Sequence, residues 1–252
     1  MALQEPPWFT GVLVIRIISK KRRKNVGNIP FPSKKHMTCK NNVFEQTYND
    51  YLKKISAINL ASLTDKLGAK YKEEKLSISL FQKEYTVSDE GIIDSSGERP
   101  SLDICVILSK YILSCPKNQL KSSSGSHEWV SYRNLKDSAP LHHYFTNEVE
   151  KAISFLFSER LQSLQEASER LGGYLPSLDV NYDFAVQFDA LPKVPLILLY
   201  NTPDEEFPAN CSILLTAQSE QYLDCESIAL LGRQLYSHLK KLQKIITKNN
   251  KD

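Results

Sequence analysis

At 252 residues, with 41% hydrophobic and 24% charged side chains, the chain has the composition of a soluble globular protein and length for one large domain or two small ones. The net charge of +3 hides an asymmetry: residues 1–43 hold nine Lys and Arg against one acid, and the rest holds 23 basic against 28 acidic residues. The body therefore has no surplus of positive charge with which to bind nucleic acid non-specifically. Five widely spaced cysteines without a C-x-x-C pair exclude a zinc ribbon or a locally spaced iron–sulfur ligand set. Reduced, packed thiols and a cytoplasmic location are the expectation.

The leader comes first in chain order. Trp8–Ile18 is apolar apart from Arg16, but it covers eleven residues, and a membrane span needs about twenty. The basic cluster Lys20–Lys24 follows the apolar run, the wrong order for a secretory signal. Residues 1–43 read as a basic segment outside the folded domain, with Met37 the expected start, since composition changes near Met37 and a helical pattern begins just after it. The competing reading is a basic tether for RNA or anionic lipid.

From Asn41 or Asn42 as cap, apolar residues recur at helical spacing from Phe44 to Leu67, with Gly68 as the stop. Leu76, Ile78 and Leu80 alternate with serines as a strand, and Tyr85–Val87 and Ile92–Ile93 read as its short partners. Gln82-Lys83 is a poor hairpin turn, so the register there stays open. Ser101 is placed to cap an apolar helix over Leu102–Leu113, and residues 117–127 form a polar, Ser-rich loop. If Glu128–Leu135 (EWVSYRNL) is extended, Trp129, Ser131 and Arg133 share one side and Val130 and Tyr132 the other.

Helices are expected over about Tyr144–Phe157 and Glu159–Leu171, with Gly172-Gly173 ending the second. Tyr182–Phe188 alternates as a half-buried strand, the apolar Val194–Tyr200 reads as a central strand, and Cys211–Leu215 is a third. A last helix carries Ile228, Leu231, Leu235, Leu239, Leu242 and Ile245 on one face, and residues 246–252 are a polar tail. Strands joined in pairs and threes by short loops predict an α+β fold, a mainly antiparallel sheet packed against several helices, in one domain over residues 44–245.

Candidate chemistry is sparse. Asp204-Glu205-Glu206 is the densest charge cluster of the body; it could hold a hard cation or divide acid and base roles. Against that stands a solvated turn with Phe207 folded back into the core. Arg133, beside Trp129 and Tyr132, could clamp a carboxylate or phosphate, or pair with the acidic turn as a structural ion pair. His142-His143 diverge on a helix and have no third metal ligand nearby in sequence, which favours a plain helix start. No nucleophile elbow and no glycine-rich phosphate loop is present.

The ordered set EWVSYRNL (Glu128–Leu135), Leu171-Gly172-Gly173, ALPKVPLILL (Ala190–Leu199), DEEFP (Asp204–Pro208), SILL (Ser212–Leu215) and Gln221-Tyr222-Leu223 resembles an uncharacterised domain-of-unknown-function family of anaerobic bacteria and archaea. The resemblance covers roughly residues 44–240. It implies that some relatives carry an added cysteine-rich segment like that of corrinoid iron–sulfur proteins; this sequence has none, and the resemblance assigns it no cofactor. The matched positions Trp129, Arg133, Asp204, Glu205, Glu206 and Tyr222 become the ligand-binding candidates.

Together these readings predict a cytoplasmic, non-catalytic binding or accessory module of anaerobic metabolism. Its site would lie between the Trp129–Arg133 segment and the Asp204–Phe207 turn and would take an anionic small molecule or protein partner, with no membrane span and no nucleic acid on the body. The alternative is a small hydrolase or transferase with Glu205 or Glu206 as base, with or without a divalent cation.

Overall fold

The structure, a computed structural model, describes residues 34–116 and 128–249. Residues 1–33 of the expected leader, the Ser-rich loop and the last three residues lie outside the described residues. By internal contacts the chain divides into residues 1–47 and 48–252. What is described of the first unit is the opening of helix α1 (Lys34–Ser56), which begins ahead of the expected Asn41–Asn42 cap.

The second unit carries all the remaining elements. The helix expected to run on to Leu67 stops instead at Ser56. Asn59 is extended, a 3-10 turn spans Leu60–Leu63, and a short helix α2 (Thr64–Leu67) ends on Gly68 at φ +62°. Serine and asparagine offer the backbone side-chain partners outside the helix, and Ser56 Oγ bonds the Lys53 carbonyl at 3.0 Å. Four strands follow, β1 (Lys70–Lys72), β2 (Lys75–Leu80), β3 (Lys83–Val87) and β4 (Ile92–Asp94), paired antiparallel in sequence order. The β2–β3 turn is Phe81-Gln82, both residues at positive φ, with Leu80 opposite Lys83. Tertiary contacts set this register. Phe81 is buried, its N–H bonds the Ala190 carbonyl at 3.0 Å, and its ring lies 6.5 Å from Phe188 and 5.5 Å from His238.

Helix α3 (Leu102–Leu113) forms where its apolar run predicts. The Ser101 hydroxyl caps nothing; its carbonyl accepts the Cys105 N–H instead. Tyr111 on this helix donates to the Leu67 carbonyl at 2.7 Å and accepts the Lys193 N–H at 3.1 Å, tying α2 and the β6–β7 turn to α3.

The second sheet has the order β5-β8-β7-β6, all antiparallel: β5 (Trp129–Ser131), β6 (Phe184–Leu191), β7 (Val194–Asn201) and β8 (Asn210–Thr216). β7 is an interior strand, as its unbroken apolar run requires. On one face Val186, Phe188, Leu196, Leu198, Tyr200, Cys211, Ile213 and Leu215 are all buried. Between β5 and β6 the chain forms α4 (His142–Phe145), a π-turn (Thr146–Glu150), α5 (Lys151–Phe157) and α6 (Leu161–Arg170). Gly172, at φ +81°, follows α6 as its predicted stop.

Helix α7 (Cys225–Asn249) packs on α3 and α6. Gly232 lets it approach Phe145, where a Cβ would fall 2.6 Å from the ring. Its buried stripe ends on Gln243 and Ile246, whereas Ile245 is 49% exposed; at 3.6 residues per turn the stripe has rotated past Leu242 and Ile245. The architecture is the predicted α+β class with two antiparallel sheets. Among the described residues no helix is long and apolar enough to cross a membrane.

Candidate functional site

A small hollow forms where β5 stops short. Extended geometry covers only Trp129–Ser131, and Tyr132–Asn134 coils into a 3-10 turn, so Trp129, Ser131 and Arg133 do not share one strand face. The cause is Tyr132. Its ring is buried and stacked on Phe145 at 4.1 Å and 4°, and its hydroxyl donates to the Cys225 carbonyl at 2.8 Å. Drawing Tyr132 into the core ends the strand and turns Arg133 outward, exposed.

The last β5–β8 pair is Ser131 with Leu214, so no β5 residue lies opposite Ile213. Glu150 fills that place: its Oε1 accepts the Ile213 N–H at 3.1 Å. The π-turn carries this carboxyl to the strand edge, and such turns recur at functional sites. Burial pushes the Glu150 carboxyl up from its ordinary range, opposed by the Ile213 N–H, the Thr146 side chain and nearby His142.

The hollow has a volume of about 250 Å³ and is lined by Ser131, Ser212, Leu199 and Leu214 from the sheet. Tyr132, Arg133, His142, Glu150 and Tyr182 complete it. His142 faces it half-buried, and His143 on the next position is exposed; contrary to the expected divergence, the two rings lie 5.6 Å apart, tilted by 38°. Among the described residues the Arg133 guanidinium has no hydrogen-bond or ion-pair partner. A forked cation, an imidazole and two hydroxyls around a concavity of this size can hold a carboxylate, phosphate or similar oxyanion.

The acidic turn lines a different and larger hollow, of about 710 Å³, with Lys151, Phe155, Asn201, Thr202, Asp204 and Phe207 on its walls. Asp204 is committed to the turn: Oδ1 accepts the N–H groups of Glu206 at 2.8 Å and Phe207 at 2.7 Å. Glu205 and Glu206 are exposed. Phe207 does not fold back into the core but stands 65% exposed, held outward by the hydrogen bonds that close the turn. The structure thus places Arg133 and the acidic turn on separate hollows. Trp129 is half-buried on β5 opposite Thr216. Tyr222 is buried with its ring 5.6 Å from Tyr111 and lines neither hollow. Among the described residues no group of three or more His, Cys, Asp or Glu side chains is arranged to hold a metal ion.

Sequence reasoning missed Glu150. It sits beside the buried stripe Phe145, Val149, Ile153 and Phe157, and a regular helical reading cannot tell it from a solvated acid. The π-turn that aims it has no sequence signature.

The profile of DUF3786, a domain of unknown function, matches residues 59–237, and the chain belongs to that family. The match takes in both hollows. None of the curated proteins and none of the solved structures matches the chain.

Proposed function

We propose that this domain is a non-catalytic binding module that recognises an anionic group of a small ligand or partner protein in the Arg133 hollow. The observation that carries the reading is an Arg133 guanidinium without a protein partner at a concavity that also presents His142, Ser131 and Ser212. Of the sequence candidates, Arg133 is the one that reads the anion; Trp129, on β5, does not line this hollow. Asp204, Glu205, Glu206 and Tyr222 lie outside this hollow. Glu150 also lines this hollow, with its Oε1 engaged by the Ile213 N–H.

Part of the same proposal is a cytoplasmic protein of anaerobic metabolism. The four described cysteines are free thiols, which fits a reducing compartment, and the anaerobic setting rests on the resemblance in sequence. In the alternative reading, a hydrolase or transferase, Asp204 is already spent on the turn and the base would be Glu205 or Glu206.

Thermal melts with inorganic phosphate, sulfate and small mono- and dicarboxylates test the proposal. At about 100-fold excess over Kd, stabilisation of about 2.7 kcal/mol is expected. The shift should vanish in Arg133→Gln and shrink in Arg133→Lys, which keeps the charge and loses the fork. Melts unmoved by every anion, or a shift intact in Arg133→Gln, would sink it. A shift confined to Mg2+ or Mn2+ and lost in Glu205→Gln would favour the enzyme instead.

A further inference from the structure

The larger hollow is bordered by aromatic rings turned to solvent and by charges of both signs. Phe155 is 86% exposed and Phe207 65%, on opposite elements of one concavity. Two large apolar side chains this exposed on one concavity offer apolar area for a partner to cover. Lys151 lies on the α5 side, and Asp204, Glu205 and Glu206 lie on the turn side. Among the described residues the side chains of Lys151, Glu205 and Glu206 make no ion pair.

A hollow rimmed by a ring and a cation on one side, Phe155 and Lys151, and by a ring and carboxylates on the other, Phe207 and the acidic turn, is complementary to itself. A two-fold axis through the hollow brings the Lys151–Phe155 rim of each copy onto the acidic Phe207 rim of the other, cation to anions and ring to ring. A partner of one charge sign would leave half of these charges without a counterpart, and anionic lipid would be repelled by the turn. We propose that this hollow is the interface of a homodimer. Phe155 and Phe207 of one copy pack on those of the second, and Lys151 of each copy pairs with Glu205 or Glu206 of the other. The surface is distinct from the Arg133 hollow, so the two proposals stand or fall separately.

Sedimentation equilibrium of the full chain from about 1 to 200 µM is expected to show a monomer–dimer equilibrium. Phe155→Ser and Phe207→Ser should each raise the dimer Kd by about tenfold or more. Both rings are exposed, so unchanged far-UV circular dichroism will show that these variants still fold. Lys151→Glu alone and the Glu205→Lys/Glu206→Lys double variant should each dissociate, whereas an equimolar mixture of the two should associate again. That restoration is a result that a merely sticky surface would not produce. A monomer across the whole range, a dimer indifferent to Phe155→Ser, or no recovery on mixing would overturn the proposal.

Discussion

The two sheets have equal strand numbers and are assembled in opposite ways. In the first, β1 to β4 pair in chain order within residues 70–94, each hairpin closing locally. In the second, the outer strand β5 comes before α4, α5 and α6 in the chain and pairs with β8, the last strand to be made. The local sheet pairs strand to strand in chain order, and neither hollow described above lies on it. The non-local one is left incomplete where β5 stops at Ser131, and the Arg133 hollow occupies that defect, with Glu150 standing in for the missing strand. The Arg133 hollow arises where long-range pairing runs out, since there the edge of β8 meets side chains from distant segments.

The two sheets should differ in how much a single side chain contributes to stability. Leu198 is fully buried on interior β7, and Leu198→Ala should cost about 3–4 kcal/mol in urea unfolding. Ile93, 37% exposed on edge strand β4, should cost less than about 1 kcal/mol when changed to Ala. Equal losses would mean that the two sheets do not differ in the way their topology implies.

The defect itself is sharpened by Glu150. Glu150→Ala leaves the Ile213 N–H without its acceptor and should cost about 1–3 kcal/mol, with faster hydrogen exchange at Ile213. Glu150→Gln keeps a carbonyl acceptor and most of the protection. The pH dependence has a definite sign. The folded pKa of Glu150 lies above its unfolded value, so its contribution is fully present below the unfolded pKa and is lost as pH rises through the folded one. Glu150→Gln should remove that decline, and a steeper decline in the variant would contradict the assignment.

The smallest effect belongs to the local sheet. Gln82 sits at φ +64° in the β2–β3 turn, so Gln82→Gly should stabilise by up to about 1 kcal/mol, read as a rise in Tm. A loss would show that packing of the Gln82 side chain on Gly172 outweighs the relief of strain.

Elements whose periodicity is their own were readable from the order of residues alone. α3 over Leu102–Leu113, the alternation through Val186 and Phe188, interior β7 and the α+β class were all legible, because apolar spacing reports which face a local element buries. The resemblance in sequence likewise pointed to a domain of unknown function, and the family match agrees. Tertiary structure decided what depends on partners distant in the chain. Docking of Phe81 on β6 set a hairpin register that Phe81-Gln82 does not encode. Burial of Tyr132 ended β5 after three residues and turned Arg133 away from the strand. The π-turn carried Glu150 to the edge of β8, and the acidic turn went to a hollow of its own with Phe207 facing solvent. A side chain's direction at an element's end is set by whatever packs against it, and that information lies elsewhere in the chain.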